Sequence, residues 1–393
     1  MSRVRLSDED LGPFFGPTYD GLARQLTRER LAPLRSHDSA EVARLLGELG
    51  LYAFLVPEAR GGAPAGRPRD ASYVDVRSLV LIREALGQVS PLADAIFAVQ
   101  GLGSYPVVLA GTDAQRARVL PDVIAGRRIG AFALTEPEAG SDVASLQTTA
   151  RRDGDGWILD GDKTLISNVT IAHHYVVFAN ADPSLGRKGI TAFLVEHGTP
   201  GLEAEPIAMS IPHPIGRLRF SNCRVPGDAL LGKVGEGFKL AMETLDAFRI
   251  SVGGAANGMA TRALDLAIAH VRARRQFGAA LEGQQMVKAQ LADMATELDA
   301  GRLLVARAAH RRDTTEARVT TEAAMAKMFA TEGAQRIIDR AVQLHGGMGV
   351  ALGSEVEALY REIRPLRIYE GTTEIQKLVI AKGLLDRAAA ETK

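Results

Sequence analysis

Between Gly130 and Val225 the chain abandons helical spacing for short β-branched or alternating runs, and helical spacing holds on both sides of that block. The runs AFAL, WILDG, HYVVFAN, ITAFLVE and LRFSNCRV recur at intervals of 16 to 28 residues, separated by turn formers. No helical period lies between them. The spacing therefore predicts an antiparallel sheet or barrel and disfavours a doubly wound βαβ sheet of the Rossmann kind.

Before the block, apolar residues recur at helical spacing in Val42, Leu45, Leu46 and Leu49 and again in Leu79, Ile82 and Leu86. The Gly, Pro and Ala of Pro57 to Arg69 read as a long connection, and Gly111-Thr112-Asp113 as a helix end followed by an N-cap. After the block the spacing predicts four long helices, over Phe238 to Val271, Gln285 to Arg312, Thr321 to Leu344 and Thr373 to Leu385. Such helices bury one apolar stripe each in a bundle, and a stripe left over makes an oligomer interface. The expected fold is α+β multidomain: an N-terminal helical domain over 1–128, a central antiparallel β domain over 129–233, and a C-terminal four-helix bundle over 234–393.

With 393 residues, 46% of them apolar, the chain can fill such cores. Forty-seven basic residues balance forty-seven acidic ones, which argues against nucleic acid and anionic membrane surfaces as partners. The single cysteine, Cys223, excludes an intramolecular disulfide and fits a reducing cytoplasm. No apolar run approaches the roughly eighteen residues of a transmembrane helix, and MSRVRLSDEDLG lacks the apolar centre of a signal peptide. A soluble, unprocessed protein is expected. His173 and His174 would face opposite sides of a strand, and no His-Glu-x-x-His, Gly-x-Ser-x-Gly or Walker pattern occurs, so a catalytic metal, a serine hydrolase and a P-loop nucleotidase are not expected.

Five stretches offer chemistry, each with an ordinary structural reading beside it. Leu134-Thr135-Glu136-Pro137-Glu138-Ala139-Gly140-Ser141-Asp142 is a strand-to-loop turn whose hydroxyls and backbone N–H groups suit a polar ring edge or a phosphate. In Leu165-Ile166-Ser167-Asn168 the polar pair reads first as turn formers. Arg274-Arg275-Gln276-Phe277-Gly278, followed by Gln284-Gln285, reads as helix-end charge or as an anion site flanked by an aromatic ring. Gln343 to Gly349 is a helix C-cap or a close backbone approach to a ligand. In Ile368-Tyr369-Glu370-Gly371-Thr372-Thr373-Glu374-Ile375-Gln376, Thr373 and Gln376 have capping-box spacing, which places Glu370 just outside a helix. Glu370 is there a dipole-stabilising charge or a desolvated general base.

The order of these stretches closely resembles the acyl-CoA dehydrogenase family over nearly the whole chain, with Leu49-Gly50-Leu51, Val56-Pro57-Glu58 and Gly61-Gly62 preceding them. The resemblance implies FAD in each subunit of a tetramer or dimer, and a carboxylate that removes the α-proton of an acyl thioester while the β-hydrogen leaves as hydride to flavin N5. Glu370 matches the base of the commonest subgroup. A free carboxylate of pKa about 4.3 is too weak for that task, so the site must desolvate it and polarise the thioester carbonyl. The family polarises it with the flavin ribityl hydroxyl and the base's own backbone N–H, here that of Glu370.

By the same matching, Phe132, Leu134, Thr135, Gly140 and Ser141 line flavin and thioester, and Ser167 contacts the N5 edge. Arg274, Phe277 and Gln285 fall at the FAD pyrophosphate and adenosine, with Gln343, Gly346 and Gly347 reaching FAD from the neighbouring subunit. Thr372 and Glu374 match further FAD contacts. Ser141, Asp246, Arg249, Glu370 and Gly371 match substrate positions, Asp246 and Arg249 near the pantetheine arm. Two departures stand out. Leu165 replaces the family's usual Trp at the flavin edge, which leaves the electron acceptor open. Met209 to Gly216 replaces the usual Gly, basic and Ser/Thr pattern, which leaves the carrier open between CoA and an acyl carrier protein. The expected activity is thus dehydrogenation of an acyl thioester to its trans-2-enoyl product, with an electron-transfer flavoprotein as acceptor. The alternatives are a flavin oxidase or monooxygenase on the same fold, or a silent carrier-protein-binding module.

Overall fold

The structure, a computed structural model, describes residues 8–391. The first residues of the stretch read above for a leader lie outside the described residues. Seven helices precede the sheet: α1 (Asp8–Phe15), α2 (Asp20–Gln25), α3 (Arg28–Leu31), α4 (Ser39–Glu48), α5 (Val76–Val89), α6 (Pro91–Ala110) and α7 (Asp113–Ile124). Their starts follow local chemistry. Asp75 caps α5 through the N–H of Ser78, Ser90 caps α6 with Pro91 in the first turn, and Thr112 with Gln115 closes a reciprocal capping box on α7.

The sheet comprises β1 (Gly130–Ala133), β2 (Thr149–Asp153), β3 (Gly156–Ser167), β4 (His174–Asn180), β5 (Ile190–Glu196), β6 (Leu202–Pro206), β7 (Ile215–Val225) and β8 (Leu230–Leu231). Its order is β6-β7-β3-β2-β4-β5-β8, with β1 beside β4. The purely antiparallel expectation needs correcting, because β1 runs parallel to β4 and β2 meets β4 in parallel at Thr149 and Asn180. The long path from β1 through β2 and β3 brings β4 back in the same direction, as a hairpin turn cannot. Strands β2 and β6 escaped the apolar reading because they are mostly exposed, with sequences TARRD and LEAEP. Strand β4 is buried on both faces. Val176 and Phe178 join the helical core, while Tyr175, Val177 and Ala179 join a second core with Trp157 and Phe193.

The C-terminal part holds α8 (Gly237–Ala273), a hairpin of β9 (Arg275–Gln276) and β10 (Ala279–Ala280), α9 (Gln285–Thr314), α10 (Thr320–His345), α11 (Glu355–Ile363) and α12 (Thr373–Glu391). The short α11 is additional to the four expected helices. Every residue of α5 is buried, and α5 lies against α8 so closely that a Cβ on Gly258 would stand 2.1 Å from the Glu84 carbonyl oxygen. N- and C-terminal helices therefore share one core. Helix α6 is long and apolar enough to cross a bilayer, but 83% of its apolar window is buried inside the protein, as in a core helix.

Candidate active site

Glu370 sits in the connection between α11 and α12, held in the left-handed region at φ 53° and followed by Gly371 at φ 91°. A non-glycine residue pays about 1–3 kcal/mol for such a backbone, and strain of this kind clusters at functional positions. Leu165, Asn168 and Phe277 share the feature, and all three belong to stretches singled out above. Three side chains pin the Glu370 segment. Arg249 Nε donates to the Glu370 carbonyl at 3.3 Å, Lys327 Nζ donates to the Gly371 carbonyl at 2.8 Å, and Gln376 Nε2 donates to both, at 3.3 and 2.9 Å.

The Glu370 Oε2 is buried and finds no hydrogen-bond partner among the described residues. Desolvation raises the carboxyl pKa above its ordinary value, while Arg83, Arg249 and Lys327 oppose the rise and Asp94 adds to it. Lys327 is itself pulled down to about 8 by burial, against the attraction of Glu370. The arrangement is a half-buried carboxylate with one oxygen withdrawn from water, among cations that limit how far its proton affinity climbs.

Asp246 and Arg249 form an ion pair at 2.9 Å on α8, so both predicted substrate residues share the neighbourhood of Glu370 and Gly371. The helix cap lies one residue earlier than the spacing indicated. Thr372 Oγ1 accepts from the Ile375 N–H at 3.3 Å, whereas Thr373 donates to Glu332 at 2.6 Å and Gln376 turns back to the Glu370 loop. Thr373 and Gln376 are buried and carry tertiary bonds, which override the local capping box. Glu374 is exposed, its carboxyl held below the ordinary range by its own backbone N–H and by Thr372.

On the sheet, Phe132 packs on Phe178 with ring centroids 4.9 Å apart, and the Thr164 N–H donates to the Thr135 carbonyl at 3.0 Å, tying the end of β1 to the end of β3. Beneath them Lys163 donates to the Leu134 carbonyl at 3.2 Å and to Glu136 at 2.7 Å, a fully buried pair that shapes the loop carrying Gly140 and Ser141. Leu134 is buried, while Gly140 and Ser141 are exposed. Ser167 Oγ lies 2.8 Å from His213 Nε2, so the segment Met209 to Gly216 reaches the position flanked by Leu165. Leu165 is 52% exposed. Asn168 is a structural clamp, its amide donating to the carbonyls of Ile96 and Gly130 at 3.3 and 3.4 Å.

The remaining candidates gather at the far end of the helical bundle. The His270 and His345 rings stack with centroids 4.3 Å apart, joining the ends of α8 and α10, and Arg274 donates its N–H to the His270 carbonyl at 2.8 Å. Arg274, Gln285, Gln343, Gly346 and Gly347 are all exposed, and Phe277 is 95% exposed at the tip of its hairpin.

Sequence reasoning missed Lys327 and Arg83. Both are fully buried charges inside helices read for their apolar spacing. The available signal was a lone cation among apolar neighbours, in AAMAKMFA and in LVLIREALG.

A strained carboxylate with one oxygen withdrawn from water among three cations is an arrangement suited to taking up and releasing a proton. Comparison with known proteins gives the family. Residues 20–127, 131–223 and 235–385 match the N-terminal, middle and C-terminal domains of acyl-CoA dehydrogenase, and the chain belongs to that family of FAD-dependent oxidoreductases acting on CH–CH bonds. It is 40% identical over 368 residues to the mitochondrial short-chain specific acyl-CoA dehydrogenase of Homo sapiens, covering 93% of this chain and 85% of that one. Butyryl-CoA dehydrogenase from Megasphaera elsdenii superposes with a TM-score of 0.84 at 33% identity, over 98% and 99% of the two chains. The prolyl acyl carrier protein oxidase AnaB superposes at 0.78 and 31% identity, over 87% and 89%.

The residues present suit FAD. The strand ends offer an aromatic ring, an apolar side chain and two hydroxyls for the isoalloxazine, and the bundle end offers a cation and an uncovered aromatic ring for pyrophosphate and adenine.

Proposed function

We propose that the chain converts an acyl thioester to its trans-2-enoyl thioester, with Glu370 taking the α-proton. The observation that carries this reading is the buried, unpartnered Oε2 with its raised proton affinity on a strained backbone. FAD, when bound, supplies the acceptor for the β-hydrogen and its electron pair. Phe132, Leu134, Thr135 and Ser167 would hold its ring, while Arg274, Phe277, Gln285, Gln343, Gly346 and Gly347 would hold its phosphates and adenosine. Thr372 and Glu374 lie on the Glu370 side. Arg249 and Lys327 fix the Glu370–Gly371 carbonyls, so the carboxyl and the backbone N–H of the same residue address a thioester together. Ser141, Asp246, Arg249 and Gly371 line the approach of the carrier arm.

The same reading gives the thioester carrier as CoA or an acyl carrier protein, an electron-transfer flavoprotein as oxidant, a homotetramer or dimer, and a cytoplasmic location. Glu370→Gln keeps size and hydrogen bonding but cannot accept the proton. It is expected to fold, retain FAD and bind thioester, yet to bleach its flavin roughly a hundredfold to ten-thousandfold more slowly in anaerobic stopped flow. A rate within a few-fold of the unaltered protein would move the base elsewhere, with Asp246 next to test.

One observation favours the oxidase reading of the same fold. Leu165 leaves the flavin edge without an indole and is itself 52% exposed. If this opens the edge to oxygen, Leu165→Trp slows oxidation of the reduced protein by air. Equal oxygen rates in the two proteins would leave the dehydrogenase reading alone.

A further inference from the structure

The end of β3 is not an ordinary strand end. Its pairing with β7 slips between Lys163 and Ile166, and Leu165 stands in the slip at φ 55° with its side chain 52% exposed. Asn168, one residue past the strand, is held at φ 63°. A bulge re-aims the side chains beside it, and backbone strain of this kind persists only where the surroundings enforce it. The polar side chain between the two strained positions is that of Ser167.

Ser167 is met from the neighbouring strand. It pairs with Ile215 at the start of β7, and two residues earlier His213 brings its Nε2 to 2.8 Å from the Ser167 Oγ. The imidazole is placed by its backbone. The Ile215 N–H donates to the His213 carbonyl and the Ile207 N–H to the Ile215 carbonyl, both at 2.9 Å, while Arg361 of α11 donates to the Ser210 carbonyl. His213 is half-buried, between an exposed Pro212 and a buried Pro214. Among the described residues no group bonds its Nδ1, so no carboxylate orients the ring as in a hydrolytic triad. Burial pulls the imidazole down to about 4, which keeps it neutral at neutral pH.

A neutral imidazole donates from one nitrogen and accepts at the other, and a hydroxyl has one hydrogen to give. The pair therefore has two arrangements. With hydrogen on Nε2, the imidazole donates to Ser167 and the hydroxyl donates outward. With hydrogen on Nδ1, the hydroxyl donates to Nε2 and only accepts from outside. The first suits a bare ring nitrogen, the second a ring nitrogen that carries hydrogen.

We propose that Ser167 and His213 form the outlet for the proton that a reduced flavin ring sheds when an electron acceptor oxidises it. The proposal rests on the reading that Ser167 meets the ring nitrogen of FAD. As two electrons leave for the acceptor, the ring N–H proton passes to Ser167 Oγ, the hydroxyl proton to His213 Nε2, and the Nδ1 proton to water. One proton is released, the hydroxyl is restored, and the imidazole keeps its hydrogen on Nε2, the arrangement that suits the oxidised ring. Exchange with water at Nδ1 resets the tautomer after the next hydride transfer. His213 acts only through Ser167 and is a positioning residue.

The test uses the protein loaded with FAD isotopically labelled at the ring nitrogens and reduced anaerobically with dithionite, so that neither thioester nor Glu370 takes part. NMR reads the exchange of the ring N–H hydrogen with water, and stopped flow with ferrocenium reads reoxidation. His213→Gln keeps a hydrogen bond to Ser167 but has no second ring nitrogen through which to pass a proton. Exchange and reoxidation are expected to slow by about tenfold or more in His213→Gln and to a similar extent in Ser167→Ala. His213→Leu, which removes the partner altogether, is expected to slow both equally and stands in if the Gln variant fails to retain FAD. The sign of the change decides, because a merely structural role predicts a loosened site, entry of water and faster exchange. Unchanged or faster exchange in the His213 variants, with slowed exchange in Ser167→Ala, overturns the outlet and leaves the placement of the flavin standing. If Ser167→Ala holds FAD yet alters neither the exchange nor the flavin spectrum, the ring lies elsewhere and that reading fails together with the proposal.

Discussion

At Glu370 the chain encloses one carboxylate among Arg83, Arg249 and Lys327, whereas at Phe277 it holds an aromatic ring out in solvent beside an exposed Arg274. The first region is finished within one chain: its carbonyls have donors, its cations have partners, and its strain is held by packed helices on both sides. The second is a row of unfilled groups on the ends of α8 and α10, and Met348, Val350 and Leu352 beside it are 66%, 71% and 89% exposed. Apolar residues left out in a contiguous patch mark a surface that another body covers. The difference bears on where a subunit boundary would fall in the proposed site. On that proposal proton transfer would be arranged by one copy, and cofactor retention would wait on the assembly of two.

Arg274→Ala should separate the two regions most sharply. The guanidinium is exposed in one chain, so its loss is expected to leave the folding of the subunit unchanged. A hydrogen bond to a charged group is worth about 1.5–3 kcal/mol once both sides are desolvated, which corresponds to roughly a tenfold to hundredfold loss of FAD affinity. Flavin content after dialysis, read together with mass by light scattering, should fall in step with assembly. Full retention of FAD in a protein that stays assembled would show that the phosphate end does not depend on this side chain.

The same contrast explains what could be read without coordinates. Elements rich in buried apolar residues, such as α8 and α10 or the doubly buried strands β4 and β5, stand out in the sequence because burial dictates their apolar positions. The exposed candidates at the bundle end were equally legible, since Arg-Arg-Gln-Phe-Gly and Gln-Leu-His-Gly-Gly lie contiguous in the chain. The interior of the base region was not. Arg83 finds Asp94 across the turn between α5 and α6 and Ser251 on α8, 168 residues further along, and no local spacing announces either partner. The one-residue error at Thr373 has the same origin, because the hydroxyl that fits a local cap is drawn away by Glu332. Edge strands were lost for the opposite reason: the polar residues of β2 and β6 face water and carry no apolar signal.

Lys327→Met probes the finished region, with a smaller expected effect. The substitution keeps an unbranched side chain one atom shorter and removes the donor to the Gly371 carbonyl. Gln376 still donates to that carbonyl, so the substitution removes one hydrogen bond of two, a loss of about 1 kcal/mol that a denaturant midpoint can read. The charge has a second consequence whose sign is fixed. Lys327 lowers the proton affinity of Glu370, so its loss raises the carboxyl pKa further above the ordinary 4.5. A base works only when deprotonated, so anaerobic flavin bleaching should fall on the acid side in both proteins, and the fall should begin at higher pH in the variant. Stability follows the same titration. A carboxyl with raised proton affinity in the folded state favours folding while protonated, and that contribution is lost as pH rises through its folded pKa. With Lys327 gone, the loss shifts to higher pH as well. Glu370→Gln should abolish both trends, which makes it the control. If Lys327→Met destabilises the chain yet leaves the acid limb of bleaching where it was, Lys327 serves only as a backbone prop, and the proton affinity of Glu370 is set by Arg83 and Arg249.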